Sequence, residues 1–335
     1  MKKRLLFRVD GGNVWGVSMG HLKRSLILAE HLKNDFEIFF VMKNYPDGVS
    51  YVKEGDWQIY LIDPNDESDE PIIKLCEQLK PDTVIFDLNS NYYAHFFEYA
   101  KLKKIRTIVF DITGKCDGTP DIIINDSFVP ELIRYPLVSQ KTKIYTGPDY
   151  FIMDNAPAIM PVRQTVEEIL ITFGGSDPAD LTFKLLKSTF PAFKNYNLSI
   201  VLGPAYSKPK RIRELLNGTI STRVYINPPD FLSLLSRADT VITAAGRTLY
   251  ECAYFGRPAI IIPSIEHEVQ TAKEFGRITG SIDVSIWDAM NRPGKIKDAL
   301  CEFTKNYELR KHIFDESRKI VDGNGLIRVM KLINP

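Results

Sequence analysis

The residues whose types and spacing could do chemistry fall in three places: one histidine after a glycine-rich loop, and two glycine-containing turns further along. Arg8-Val9-Asp10 runs into the loop GGNVWGVSMG, and His21 follows at the head of a helical pattern. Gly11, Gly12, Gly16 and Gly20 permit tight turns and a close approach of ligand to backbone. The positive end of a helix disfavours an imidazolium, so His21 is expected to be neutral near pH 7 and able to accept a proton, as a general base must. Asp10 could orient its ring if the loop folds back. The same pattern also suits a turn histidine among structural glycines.

The second place is Gly174-Gly175-Ser176-Asp177-Pro178, between a strand-like and a helical run. It reads either as a backbone nest for phosphate oxygens or as an ordinary helix cap with proline in the first turn. In the third, the β-rich DTVIT ends in Ala244-Ala245-Gly246 and passes directly into RTLYECAYF, a helix start whose unpaired N–H groups and dipole suit an anion. Two such mouths in one half of the chain suggest a diphosphate. Glu251, further along that helix, could accept both hydroxyls of a ribose or pair with Arg247. Gln270 could bind a sugar hydroxyl or simply face solvent.

Other chemistries lose their support. No Gly-x-Gly-x-x-Gly follows the first strand, no Walker lysine motif occurs, and His267-Glu268-Val269-Gln270-Thr271 lacks the second histidine of a zinc-protease helix. No Asp-x-Asp is found, so a metal-independent diphosphate site is expected, with no cofactor. With 43 basic and 42 acidic residues the net charge is +1, which gives no nucleic-acid footprint and no signal for a protein partner or an oligomeric state. Cys76, Cys116, Cys252 and Cys301 are widely spaced, as in a reducing compartment. The N-terminal apolar run is too short for a signal peptide, and nothing approaches the roughly 20 apolar residues of a membrane span. A soluble cytoplasmic protein is expected.

The elements that must position these residues alternate along the chain. Strand-like runs at 5–9, 36–42, 59–62, 83–87, 107–111 and 122–125 are separated by helical patterns at 22–33, 71–79 and 92–103, which predicts a doubly wound parallel sheet. At 335 residues, two domains are expected on a prior of roughly 100–200 residues each. The predicted boundaries are 1–150, a proline-containing linker at 151–163, and a second α/β domain at 164–335, whose last helix could pack back on the first. Ligands of open α/β sheets bind beyond the carboxyl ends of the strands, so the cleft between two such domains is the expected site.

Taken in order, Arg8-x-Asp10, Gly20-His21-x-x-Arg24, Tyr145-x-Gly147-Pro148-x-Tyr150, Phe173-Gly174-Gly175-Ser176-Asp177-Pro178, the 244–251 helix entry, Gln270 and Asp322-Gly323-x-Gly325 resemble the nucleotide-sugar hydrolases of pseudaminic acid biosynthesis and the related spore-coat polysaccharide proteins. The resemblance implies the GT-B fold, two Rossmann-like domains facing a central cleft. It also implies metal-independent, inverting hydrolysis of a UDP-linked 2,4-diacetamido-2,4,6-trideoxy sugar, with His21 catalytic. Arg8, Gly20, Arg24, Asp87 and Gln270 then fall on the sugar side. Gly174, Gly175, Ser176, Ala245, Gly246, Arg247, Thr248 and Glu251 fall on the nucleotide side. The chain departs from that pattern at Ser18, at Asp87-Leu88-Asn89-Ser90 and at Val269, all on the sugar side. An inverting glycosyltransferase using the same base and pocket, and a non-catalytic nucleotide-sugar-binding protein, are the alternatives.

Overall fold

The computed structural model describes residues 2–12, 14, 17, 19–88, 93–216, 221–266 and 268–335. Of the positions singled out above, Gly16, Ser18, Asn89, Ser90, Tyr92 and His267 lie outside the described residues. The chain divides into two compact units, Met1–Asp154 with Asn324–Pro335, and Asn155–Gly323.

The first unit contains, in order, β1 (Lys3–Val9), α1 (Met19–Leu32), β2 (Phe36–Lys43), α2 (Pro46–Lys53), β3 (Gln58–Ile62), α3 (Glu70–Leu79), β4 (Thr83–Asp87), α4 (Ala94–Lys103), β5 (Arg106–Phe110), β6 (Ile122–Asn125) and β7 (Lys143–Thr146). The second has β8 (Glu168–Thr172), α5 (Leu181–Thr189), β9 (Asn197–Leu202), α6 (Pro209–Leu215), β10 (Thr222–Ile226), α7 (Phe231–Arg237), β11 (Thr240–Thr243), α8 (Arg247–Phe255), β12 (Ala259–Ile261), α9 (Glu268–Thr279), β13 (Ile282–Asp283), α10 (Arg292–Lys305) and α11 (Tyr307–Ser317). The last helix, α12 (Gly325–Ile333), belongs with the first unit.

Both sheets are parallel and share one plan. The first is ordered β3-β2-β1-β4-β5-β6-β7 and the second β10-β9-β8-β11-β12-β13. Each reverses direction of winding beside its first strand, between β1 and β4 and between β8 and β11. At such a switch point the flanking loops diverge and leave a crevice at the strands' carboxyl ends. The central strands are continuous apolar runs because both faces are covered: Leu5, Leu6, Phe7 and Val9 of β1, and Val241 and Ile242 of β11, have no exposed surface. Each such side chain contributes about 1.5–3 kcal/mol by leaving water.

In each unit a glycine braces the loop that leaves the first strand. α2 starts with Pro46 in its first turn, where a missing N–H costs nothing, and carries Gly48 against the loop after β1. A β-carbon at Gly48 would come 1.8 Å from the carbonyl oxygen of Gly11. In the second unit a β-carbon at Gly203 would come 2.3 Å from Gly175 O, and Ala205 N–H donates to that same oxygen at 2.9 Å. Backbone thus packs directly on backbone beneath both glycine loops. Gly48→Ala and Gly203→Ala are each expected to lower stability by about 1–3 kcal/mol, the usual cost of overpacking; thermal denaturation of the two variants checks this, and unchanged melting temperatures would remove the bracing role.

Candidate active site

α1 begins at Met19, so His21 lies within its first turn rather than ahead of it. β4 is hydrogen-bonded beside β1, with Asp87 opposite Val9, and this brings the last residue of β4 under the start of α1. His21 Nδ1 lies 2.6 Å from Asp87 Oδ1. Asp87 has no exposed surface. A buried carboxylate must be paired, and the partner is Arg24, one turn along α1, whose Nε donates to Oδ2 at 2.8 Å and Nη2 to Oδ1 at 2.6 Å. Arg24 Nη1 donates in turn to Asp126 Oδ2 at 2.8 Å, just beyond β6, and its guanidinium lies over the Phe110 ring at 4.2 Å.

Burial alone would raise the Asp87 carboxyl, but the charges of Arg24 and His21 and their hydrogen bonds hold it well below the usual carboxylate range. Burial likewise opposes charge on Arg24, and the two carboxylates outweigh it and raise that group. Asp87 is therefore an acceptor, which fixes the proton of a neutral His21 on Nδ1 and leaves Nε2 as the basic nitrogen.

Asp10 does not orient this ring. Its carboxylate is bidentate with Arg8, at 2.6 and 2.9 Å, and accepts the N–H of Lys43 from β2 at 2.7 Å. Arg8 is 2% exposed. Burial disfavours its charge but Asp10 and Tyr93 together more than compensate, so its guanidinium is raised and held within the sheet edge. Arg8 and Arg24, assigned above to the sugar side, are paired with carboxylates of this edge, Arg8 with Asp10 and Arg24 with Asp87 and Asp126. Gly20 lies beside His21 in the first turn of α1 and is partly exposed.

In the second unit both glycine turns lie at the switch point. Gly174 takes φ +78°, with open space where a side chain would project. Gly175 and Ser176 continue that turn. Asp177 caps α5 from inside, accepting the N–H groups of Leu181 and Thr182 at 2.8 and 2.9 Å. Burial raises its carboxyl while those donors pull the other way. The first amides of α5 are thus already satisfied, and the open part of this mouth is the glycine turn itself.

At the other mouth, Ala244, Ala245 and Gly246 connect β11 to α8, with Arg247 and Thr248 in its first turn. Glu251 is 3% exposed and sits within the packed side of α8. Gln270 is exposed on α9, its amide 3.4 Å from Glu274 Oε1. One residue met in the sequence only within the incomplete zinc-protease string stands at this mouth: Glu268, the first residue of α9, accepts the N–H of Ser264 at 2.7 Å, and the backbone amides of Ala245 and Ile265 also favour its charged form. Asp126 was likewise unforeseen; an aspartate closing the apolar run IIIN was its only signal. Among the described residues, no group of three His, Cys, Asp or Glu side chains is placed to hold a metal ion, and no helix is long and apolar enough to cross a membrane.

Comparison with known proteins agrees with this architecture. Residues 169–309 match the Glycosyltransferase family 28 C-terminal domain. The chain is 29% identical over 339 residues to the spore coat polysaccharide biosynthesis protein SpsG of Bacillus subtilis, covering 97% of this chain and 96% of that one. It is 32% identical over 148 residues, 43% of this chain and 26% of the other, to the Helicobacter pylori pseudaminic acid cytidylyltransferase and UDP-2,4-diacetamido-2,4,6-trideoxy-beta-L-altropyranose hydrolase. Among solved structures, Acinetobacter baumannii MurG superposes with a TM-score of 0.66 at 18% identity, covering 98% of this chain and 99% of that one. The fold is α/β, two Rossmann-like units of the GT-B kind.

Removing the charge of Asp87 should be costly. Asp87→Asn leaves Arg24 half-compensated inside the protein, and a loss of about 3–5 kcal/mol is expected in denaturant titrations. The pH dependence has a definite sign. The folded carboxyl is depressed below its unfolded value of about 3.9, so its stabilisation is complete above that value and drains away as pH falls through the folded one. The stability gap between the native chain and Asp87→Asn should therefore be constant from pH 7 to 5 and narrow below pH ~4; a gap that widens in acid would contradict it.

Proposed function

We propose that the chain hydrolyses a UDP-linked deoxy amino sugar of the 2,4-diacetamido-2,4,6-trideoxyhexose type, releasing UDP and the free sugar for surface-glycan synthesis. The observation that carries this reading is the His21–Asp87 pair at the switch point of the first sheet. Asp87 holds the ring by Nδ1, and Nε2 takes a proton from water. The water oxygen bonds to the anomeric carbon as the bond from that carbon to the diphosphate oxygen breaks, inverting the centre. The electron pair leaves on UDP. Asp87 stays ionised and stabilises the imidazolium formed, a division of labour familiar from other His–Asp pairs.

The second unit receives the leaving group. Amides of Gly174, Gly175 and Ser176 and of Ala245 and Gly246, with Arg247 and Thr248 in the first turn of α8, meet the charge on the diphosphate, and Glu251 meets the ribose. Such preorganised dipoles each supply a few kcal/mol where charge develops, so the step needs no metal. Support comes from the likeness to SpsG over nearly the whole chain and to the H. pylori hydrolase over part of it. Arg8, Arg24 and Asp10 enter as positioning groups of the sheet edge, and Gly20 and Gln270 as candidates for sugar contact.

The glycosyltransferase family 28 match favours a second reading, transfer of the same sugar to an acceptor hydroxyl. The two differ only in the nucleophile that His21 deprotonates. Incubation with UDP-linked diacetamido sugars, without acceptor, is expected to yield free UDP and reducing sugar in equal amounts. Turnover only after an acceptor is added would make the protein a transferase, and saturable UDP binding without turnover a binding protein. His21→Ala and His21→Asn should lower UDP release by about 100-fold or more while UDP affinity is retained. Undiminished turnover by both would sink the assignment of His21.

A further inference from the structure

The mouth of α8 already holds an anion, and it belongs to the protein. Glu268 sends its carboxylate back from the start of α9 toward the turn after β11: it accepts the Ser264 N–H at 2.7 Å, and the backbone amides of Ala245 and Ile265 also favour its charged form. Its Oε1 lies 3.6 Å from the position that a β-carbon at Gly246 would take. Gly246 is the N-cap of α8, and its bareness leaves this space open. The carboxylate therefore stands in the space beside the Ala245–Gly246 turn that a bound phosphate would use. A second anion brought within about 4 Å of it would be repelled strongly in so sheltered a place.

We propose that Glu268 is a built-in competitor for the diphosphate: it fills the anion position at α8 in the unliganded protein and must leave before a nucleoside diphosphate can seat there. This rests on the reading that the α8 mouth is the nucleotide-diphosphate site. A carboxylate among backbone amides is a fair mimic of a phosphate oxygen pair, and it keeps the Ser264 N–H satisfied until a ligand arrives. Burial pushes the Glu268 carboxyl up in spite of the backbone amides around it, so the charge is held less firmly there than in water. The displaced side chain has only to swing about its own bonds, because it stands at the first position of α9 and the helix behind it need not move.

The competitor also sets a threshold on what can bind. A ligand with one weak negative charge gains little by displacing Glu268, whereas a diphosphate brings more charge to the same space. The mouth thus discriminates for a diphosphate and against a monophosphate.

Calorimetric titration of the full chain with UDP and with UMP tests this, using Glu268→Gln, which keeps the acceptor oxygen without the charge, and Glu268→Ala, which empties the position. Both variants should bind UDP at least about tenfold more tightly than the native chain, and their preference for UDP over UMP should shrink. UDP affinity equal to or below native in both variants overturns the competitor role while leaving the nucleotide reading intact. If neither the native chain nor either variant binds UDP, the nucleotide reading fails and the competitor falls with it.

Discussion

An ionised carboxylate with no exposed surface is the constraint around which the first unit is arranged. Asp87 can keep its charge at the end of β4 only because a guanidinium reaches both of its oxygens. That guanidinium is itself buried and needs more than one carboxylate, which is why Asp126 beyond β6 and the Phe110 face at the end of β5 complete the cluster. α1, β4, β5 and β6 are tied together by one chain of charges. His21 is positioned as a by-product of that tie: with Arg24 locked one turn later on the same helix, the imidazole has one carboxylate to point at.

Much of this could be read from the residues, and the part that could not has a definite cause. The alternation of apolar strands and amphipathic helices is a local signal, so both parallel sheets and the positions of the glycine turns were legible. α2 was not, because Pro46 and Gly48 read as breakers; the proline stands where a helix tolerates it, and the glycine answers to Gly11 rather than to the helix. Asp10 looked like the partner of His21 because it is near in sequence, whereas the partner found, Asp87, is 66 residues away and adjacent only because β4 pairs with β1. Asp126 is 102 residues from Arg24. Glu268 was visible only as part of a failed zinc-protease string, and its place at the α8 mouth depends on β12 pairing with β11. Charged partners are chosen by strand order, and strand order is the least local property of a sheet.

The two sheets carry one topological plan without a detectable repeat in sequence, and the comparisons fall unevenly on them. The family match begins within β8 and stays inside the second unit. Likeness across the first unit comes from full-length relatives and from the fold. This division fits the proposed function: a diphosphate makes the same demand of any protein that binds it, whereas the choice between water and an acceptor hydroxyl would be made beside His21.

The placement of α12 has a consequence for how the molecule is made. Although it follows the second unit in sequence, it completes the first: Arg328 donates to the Asp149 carbonyl at 2.9 Å, Lys3 reaches Asn334 at 3.3 Å, and a β-carbon at Gly325 would collide with Phe151 O, so the start of the helix lies directly on the backbone of Phe151. During synthesis the second unit, whose residues are continuous, can close as soon as it has left the ribosome. The first cannot, since α12 is translated after the whole of the second unit. The half that is translated first is thus completed only after the other half, and until then the surface that α12 covers, the Phe151 backbone among it, stays open.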